Sequence, residues 1–203
     1  MPYLYENIII PLYGTYIYCL ASYYDFYMNK DLYIKYPKLI EKLDSVVINV
    51  FFWLPFSLFF ITTVQPVNVL YNPISTEVFH IIINYIGGDI WFYTIHRICH
   101  KPAFYFLHKQ HHEVVDTIGI LSLYAHPFDA IVINLGSMMA LHLILHFSFF
   151  QIMLIGSVAT ISTIINSHTG RAKMGHQLHH LYKNCNYGTG SFMDIIMKTD
   201  KYE

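Results

Sequence analysis

The chain has 203 residues and a net charge of −1, and 55% of its side chains are hydrophobic whereas only 12% are charged. Charged residues make up about a quarter of a typical soluble domain, so this composition argues against a soluble fold. The chain has no basic cluster, and we therefore expect no nucleic-acid partner. We expect one membrane-embedded domain over residues 1–203, with N-terminal spans in 1–74 and a histidine-rich region in 75–203.

Long apolar segments predict four or five crossings of a lipid bilayer, since about 20 helical residues span its hydrocarbon core. The first segment, near residues 5–27, is rich in tyrosine and either spans the bilayer or lies in its interface. The second covers about residues 46–70, with a kink expected at Pro55, and the third ends near residue 96. The uncharged stretch 127–166 is twice as long as one crossing and predicts a helical hairpin. The predicted fold is an all-α integral membrane bundle.

The basic residues predict the orientation of this bundle. All twelve lysines and arginines fall in three stretches, residues 30–42, 97–109 and 171–201. If the second and third spans form one hairpin and the uncharged stretch forms another, these three stretches share one side of the membrane. Lysine and arginine accumulate on the cytoplasmic side of membrane proteins, so we expect this side to face the cytoplasm.

The thirteen histidines follow an ordered spacing. Two of them lie four residues apart near residue 96, and HxxHH motifs occupy residues 108–112 and 176–180. Positions i, i+3 and i+4 share one helix face, so we expect these imidazoles to converge from three helices on the cytoplasmic side. A histidine at the mouth of the last hairpin and one after it complete the set. The predicted metal ligands are His96, His100, His108, His111, His112, His126, His168, His176, His179 and His180.

This number of imidazoles predicts two metal ions, because a closed zinc site takes only four ligands. Imidazole suits zinc, copper, iron and nickel, and the residues alone do not choose among these metals. Three histidines are expected to take no part, since they fall at the opposite face of the membrane: His80, and the i, i+4 pair His142 and His146.

Carboxylates near the histidines are candidates for orienting the imidazole rings. A ligating imidazole usually donates its second N–H to a carboxylate or a carbonyl oxygen. One acid lies seven residues before His96, on the same helix face. The predicted carboxylate partners are Asp89, Glu113, Asp116, Asp129 and Asp194.

These motifs resemble those of a known family. They comprise His96-Arg97, His100, His108-Lys109, His111-His112-Glu113, Ala125-His126-Pro127, His176-Gln177-Leu178-His179-His180 and Asn186-Tyr187-Gly188. The chain resembles the fatty acid hydroxylase superfamily over about residues 89–199, in particular its branch of sterol desaturases and sterol methyl oxidases. Two departures, the short interval between His168 and His176 and a closing Lys198-Thr199 in place of Gly-Thr, bear on the substrate class.

The resemblance implies a non-haem centre of two iron ions, with zinc able to replace iron in recombinant material. It also implies endoplasmic-reticulum membranes, molecular oxygen, and electrons from a b-type cytochrome or an NAD(P)H reductase. Oxidation of an unactivated C–H bond needs a redox cofactor, and a centre at the membrane surface admits a lipid directly from the bilayer.

We therefore expect an oxidase that hydroxylates, desaturates or oxidatively demethylates a sterol or fatty acyl chain, reactions that the sequence does not separate. An inactive family member that binds lipid or metal stays open as an alternative. A metal transporter fits less well, because it would place its histidines or carboxylates near the membrane midplane.

Overall fold

The computed structural model describes residues 4–35, 41–67, 72–115, 117–168 and 175–202. Its helices are α1 (Leu4–Met28), α2 (Lys30–Lys35), α3 (Leu43–Val64), α4 (Ile74–Cys99), α5 (Asp129–Leu145), α6 (Phe149–Ser167), α7 (His176–Tyr182) and α8 (Phe192–Met197). Three 3-10 turns between α4 and α5 cover Tyr105–Leu107, His111–Glu113 and Gly119–Leu123. These ranges contain no β-strand, which confirms the predicted all-α fold.

Helices α3, α4 and α6 are each long and apolar enough to cross a bilayer. Helix α5 is apolar but shorter, and α1 falls outside this set although it has 25 residues. At about 1.5 Å per residue, α1 is as long as one crossing, and it packs against α3 and α6. The four or five predicted spans thus correspond to five long helices, three of which meet the requirements for a span by length and composition.

The outward faces of these helices are apolar, as a lipid environment requires. On α3, for example, Phe51, Phe52, Phe56 and Phe60 are each more than half exposed. A soluble protein seldom exposes so many aromatic rings on one element, because each leaves a large apolar area in water. We therefore treat this face of α3 as lipid-facing.

A π-helical turn, Asn49–Trp53, widens α3 just before Pro55, where a kink is predicted. Proline lacks a backbone N–H and its ring clashes with the preceding turn, so a wider turn accommodates it. Within this turn, Asn49 is buried and donates from Nδ2 to the carbonyl oxygens of Leu123 and Ala125, at 2.9 and 2.8 Å. The irregular turn therefore fixes α3 to the loop that precedes α5.

The predicted hairpin is present as α5 and α6, joined through residues 146–148. The turn begins at His146 in the left-handed conformation, and Ser148 then caps α6 through reciprocal bonds with Gln151. The Ser148 hydroxyl also donates to the Glu77 carboxylate of α4 at 3.1 Å. These bonds fasten the tip of the hairpin to the start of α4.

Helices α4 and α5 cross closely at Gly88. A Cβ added to Gly88 would lie 2.6 Å from the Ser137 carbonyl oxygen, so only glycine permits this approach. Nearer the end of α4, the Trp91 indole Nε1–H donates to the Val132 carbonyl at 2.7 Å. The crossing places the beginning of α5, which carries Asp129, beside the end of α4, which carries His96.

Candidate metal centre

Nine histidines converge where α4 ends beside α7, and they form two groups. Within each group, one ring nitrogen from every histidine lies within 4.8 Å of the others. The first histidine group comprises His96, His100, His108, His112 and His179. The second histidine group comprises His111, His168, His176 and His180.

Helices α4 and α7, the end of α6 at His168 and a series of tight turns present these side chains. Helix α4 carries its histidines in its last turn and at its C-cap, and α7 carries the whole second HxxHH motif. The first HxxHH motif does not lie on an α-helix, so the predicted third helix is wrong: His108 follows one 3-10 turn and His111 begins the next. Pro102 cannot donate the hydrogen bond that would continue α4, and the chain reverses in short turns instead.

The distances between imidazole nitrogens match those of ligands on a shared ion. Close pairs of Nε2 atoms are His100–His112, His112–His179 and His111–His180 at 3.1 Å, and His111–His176 at 3.3 Å. Nitrogens bound to one ion at about 2.0–2.1 Å are separated by about 3 Å in tetrahedral or octahedral arrangements. The packing of these rings therefore fits metal coordination.

Several buried ring nitrogens at the centre have no hydrogen-bond partner among the described residues. They include Nε2 of His96, His108 and His168. A buried polar atom without a hydrogen bond is rare in native proteins, and an ion that the coordinates do not contain is one of its ordinary explanations. The donor set thus fits two metal ions, with five and four imidazoles respectively.

Burial favours the neutral form of seven of these imidazoles, and the neutral form is the one that binds metal. Burial lowers the pKa of His100 and His111 to about 3, and the pKa of His168 to about 4. Burial and the neighbouring imidazoles also lower the pKa of His112, His176, His179 and His180. At neutral pH their ring nitrogens therefore keep a free lone pair, and no proton competes with the metal.

Five of the nine rings are oriented by an oxygen acceptor at Nδ1, which leaves Nε2 free for a metal. The acceptors are the carbonyl oxygens of Tyr187 for His96 (2.7 Å), Thr163 for His168 (2.8 Å), Cys185 for His179 (2.7 Å) and Val114 for His180 (2.9 Å), and the Asp129 carboxylate for His108 (2.5 Å). Four of these five acceptors belong to the backbone. Sequence reasoning missed them because every residue carries a carbonyl and no side-chain pattern marks those that are used.

Asp129 is the predicted carboxylate that contacts a histidine directly. It is 1% exposed, and one oxygen accepts from His108 while the other accepts from Asn134 at 3.2 Å. Because both oxygens are engaged, the carboxylate cannot rotate freely, and it fixes the ring of His108.

Asp89 and Asp194 contact a loop next to the centre. The prediction that these two carboxylates bind imidazoles directly is therefore wrong. Asp89 accepts hydrogen bonds from the backbone N–H groups of Thr189, Gly190 and Met193. Asp194 accepts from those of Tyr187 and Gly188. Both carboxylates therefore hold the loop 187–193, whose first carbonyl orients His96.

Two other predicted partners do not reach the centre. Glu113 is exposed and pairs with Lys42 at 3.0 Å and with the Tyr124 hydroxyl at 2.7 Å, so it is not a partner of the imidazoles. Its side chain points to solvent because its neighbour in the same short turn, His112, points inward. Asp116 lies outside the described residues.

The predicted ligand His126 is found in neither histidine group. Its Nδ1 accepts a hydrogen bond from the backbone N–H of Phe128 at 3.1 Å, as the capping residue of a helix start does. The ring is thus engaged at the entrance of α5, and the two histidine groups contain nine of the ten predicted ligands.

The three histidines assigned to the opposite membrane face also lie outside both groups. His80 contacts Gln151, and His142 donates to the Gln65 carbonyl at 2.9 Å. His146 is in contact with the Gln65 side chain. These contacts belong to the tip of the hairpin. Spacing alone would not distinguish His142 and His146 from His96 and His100, because both pairs are four residues apart.

A cavity of about 820 Å³ opens from the second histidine group into the helical bundle. At one end it is lined by His111, His168 and His176. At the other end it reaches Met139 and Ile152, which belong to the apolar core beneath the hairpin tip. A long apolar molecule can therefore lie within the bundle with one part against the histidines.

Comparison with known proteins agrees with this geometry. The sequence pattern of the Fatty acid hydroxylase family matches residues 81–199, more than half of the chain. The chain belongs to the fatty acid hydroxylase family. The match includes all nine histidines of the two groups. No solved structure gives a significant match.

The relatives of this member of the fatty acid hydroxylase family include proteins named for two classes of lipid, fatty acids and sterols. The chain is 35% identical over 120 residues to fatty acid hydroxylase ahd1 of Mycosarcoma maydis, covering 56% of this chain and 31% of the relative. It is 36% identical over 119 residues to human fatty acid hydroxylase domain-containing protein 2, covering 55% and 35%. It is 24% identical over 160 residues to C-4 methylsterol oxidase erg25 of Schizosaccharomyces pombe, covering 66% and 51%. The matches thus span a third to a half of these relatives.

Proposed function

We propose that the chain is a membrane lipid oxidase whose two histidine groups hold two metal ions, iron in the active protein. It uses molecular oxygen to hydroxylate, desaturate or oxidatively demethylate a sterol or fatty acyl chain. The observation that carries the proposal is that two groups of closely spaced imidazoles lie together at the wall of an apolar cavity. The names of the relatives, a fatty acid hydroxylase and a methylsterol oxidase, support a lipid substrate.

The protein's own residues bind the lipid, orient the imidazole rings and exclude water from the centre. When bound, the ions supply the redox chemistry that activates oxygen, which no side chain provides. The Nδ1–H donors of His96, His179 and His180 fix their rings through backbone carbonyls, so that the Nε2 atoms are held in place. The apolar cavity holds the lipid against the second histidine group and keeps water away from the reacting carbon.

We further propose that the protein resides in the endoplasmic-reticulum membrane with the histidine groups facing the cytoplasm. The basic residues Lys109 and Lys183 are exposed near the centre, on the side where lysine and arginine accumulate along the chain. This side is accessible to a b-type cytochrome or an NAD(P)H reductase, which would supply the electrons.

Lipid analysis of cells that express matched variants tests this function. His111→Ala and His179→Ala each remove one imidazole, from the second and the first group respectively, and should abolish the product. The wild-type protein should generate a lipid with one more oxygen atom or two fewer hydrogen atoms, measured by mass spectrometry at equal expression.

His146→Ala is the matched control, because His142 and His146 have the spacing of His96 and His100 but lie at the hairpin tip. At about 1.5 Å per residue, α5 separates this tip from the centre by roughly 25–30 Å. Activity of this variant should stay within a few-fold of wild type. A product from the His111→Ala variant would contradict the proposal, and a well-folded wild type that forms no product would favour an inactive, lipid-binding family member.

A further inference from the structure

Asn84 is a buried amide without a partner near the middle of α4. The residue is 6% exposed, and its Oδ1 is buried without a hydrogen bond. Among the described residues, no group accepts from its Nδ2 either. In a bilayer-spanning helix a polar group of this kind is unfavourable and uncommon, because neither water nor lipid tails can satisfy it.

Several other amide and hydroxyl side chains of the long helices form hydrogen bonds between helices. Asn7 of α1 donates to the Thr63 hydroxyl of α3 at 3.2 Å. The hydroxyls of Tyr13 in α1 and Ser157 in α6 bond each other at 2.8 Å. These contacts connect helices, whereas Asn84 connects none. The amide of Asn84 therefore lacks the usual structural reason for its presence in the bundle.

Asn84 lines the same 820 Å³ cavity as the second histidine group. Twelve residues of α4 separate it from His96, which corresponds to about 18 Å along the helix axis. The acidic and lysine side chains of the cavity wall, Asp129, Asp194 and Lys201, belong to the chain segments around the histidines. The surroundings of Asn84 therefore suit a neutral polar group, since an unpaired charge there would be strongly unfavourable.

From this placement we infer that Asn84 is a specificity-determining residue, which binds a hydroxyl group of the lipid substrate at the end remote from the oxidised carbon. A hydroxyl donates to Oδ1 and accepts from Nδ2, so one group satisfies both unpaired atoms of the amide. The inference rests on the proposed function, and it narrows the substrate to a neutral alcohol about as long as the distance from Asn84 to the centre. A free carboxylate or a phospholipid headgroup does not fit.

Equilibrium binding to the purified full chain without oxygen tests this inference, because no turnover is needed. The probes are two matched pairs of radiolabelled lipids, cholesterol with cholestane and hexadecanol with hexadecane, in which each pair differs by the hydroxyl alone. For at least one pair, the wild-type protein should bind the alcohol about tenfold more tightly than the hydrocarbon, the effect of one buried hydrogen bond.

Asn84→Leu keeps the size of the side chain and removes the amide, so it should abolish the preference while the hydrocarbon binds as before. Asn7→Leu is the control, since it removes an amide of a membrane helix outside the cavity wall, and it should keep the preference. The inference would be overturned if the wild-type protein preferred the alcohol in neither pair of lipids. It would also be overturned if the Asn84→Leu variant kept the preference for the alcohol. Failure of the oxidase proposal is distinct, because it would leave alcohol binding intact without any lipid product.

Discussion

Individual hydrogen bonds decide which ring nitrogen is free for a metal in five of the nine imidazoles. His108 is the histidine whose Nδ1 is held by a carboxylate, that of Asp129, at 2.5 Å. The other oriented rings use backbone carbonyls, which stay in place as long as the local turn is intact. Substitution of a side chain can therefore remove the orienting group of His108 without altering the backbone.

Asp129→Asn should weaken metal binding and activity about 10- to 100-fold, the usual effect of losing a partner of a ligating histidine. The amide keeps the size of the carboxylate but lacks its charge, so it holds the His108 ring less firmly. Metal content after dialysis against a chelator, together with lipid product formation, provides the measurement.

Glu113→Gln serves as the control for this substitution. The Glu113 side chain is 49% exposed and pairs with Lys42, and an exposed ion pair contributes little to stability. This variant should retain its metal and its activity. Equal losses in the two variants would show that Asp129 has no special role at the centre.

The histidines themselves could be predicted from the sequence, but their partners could not. Spacing marks eight of the nine members of the two groups, because an ordered set of one HxxxH and two HxxHH motifs is uncommon by chance, although a single HxxxH pair is not. It does not reveal that Tyr187 and Cys185 offer their carbonyls, nor that His126 bonds the N–H of Phe128 instead of joining the set. Such bonds depend on backbone conformation in loops, which side-chain identity specifies only weakly.

At the scale of elements, the loop 187–193 links two carboxylates to the first histidine group. Asp89 projects from α4 and Asp194 from α8, and together they bind consecutive N–H groups of the loop. The Tyr187 ring also packs against the rings of His96, His100 and His179, at 5.2–5.7 Å between centroids. The loop therefore acts as the support on which this part of the centre is built.

Gly188→Ala tests this support. An added Cβ would lie 2.7 Å from Asp89 Oδ1 and 3.0 Å from Asp194 Oδ2, so the loop would have to move away from both carboxylates. Displacement of the loop should loosen His96 and lower the metal content and the thermal stability of the purified protein.

Gly156→Ala in α6 is the matched control, because a Cβ there would meet no atom within 4 Å. Alanine favours a helix over glycine by about 1 kcal/mol, so this variant should be as stable as wild type or more stable. A Gly188→Ala protein with normal metal content and normal stability would argue against the supporting role of the loop.

Helices were easier to predict than turns. The long apolar segments predicted α3, α4 and the hairpin of α5 and α6, because a bilayer requires a minimum length of continuous helix. The first HxxHH motif, in contrast, has helical spacing but lies in and beside 3-10 turns after Pro102. These successive turns still bring its rings to one place. Spacing alone therefore predicts that these side chains converge, but it does not predict which secondary structure brings them together.

At the scale of the whole molecule, the arrangement of spans requires Lys109 and Lys183 to lie on the same side of the membrane. Both side chains are exposed close to the histidine groups. Single cysteines introduced by Lys109→Cys and Lys183→Cys, in a background where the exposed Cys19 is replaced by serine, should react with an impermeant thiol reagent from the cytoplasmic side only.

Ile144→Cys is the control for the opposite face, since Ile144 is 71% exposed next to the hairpin tip. It should react from the other side of the membrane. Labelling of Lys109→Cys and Lys183→Cys from different sides would refute both the hairpin and the common position of the two HxxHH motifs.

The central claim is that one chain holds two metal ions in two groups of histidines. Elemental analysis of the full-length, well-folded protein, purified in mild detergent after growth with iron, measures this directly. About two metal ions per chain are expected, and zinc in place of iron would leave this count unchanged, since imidazole binds both metals. A count of one ion per chain, or none, would contradict it.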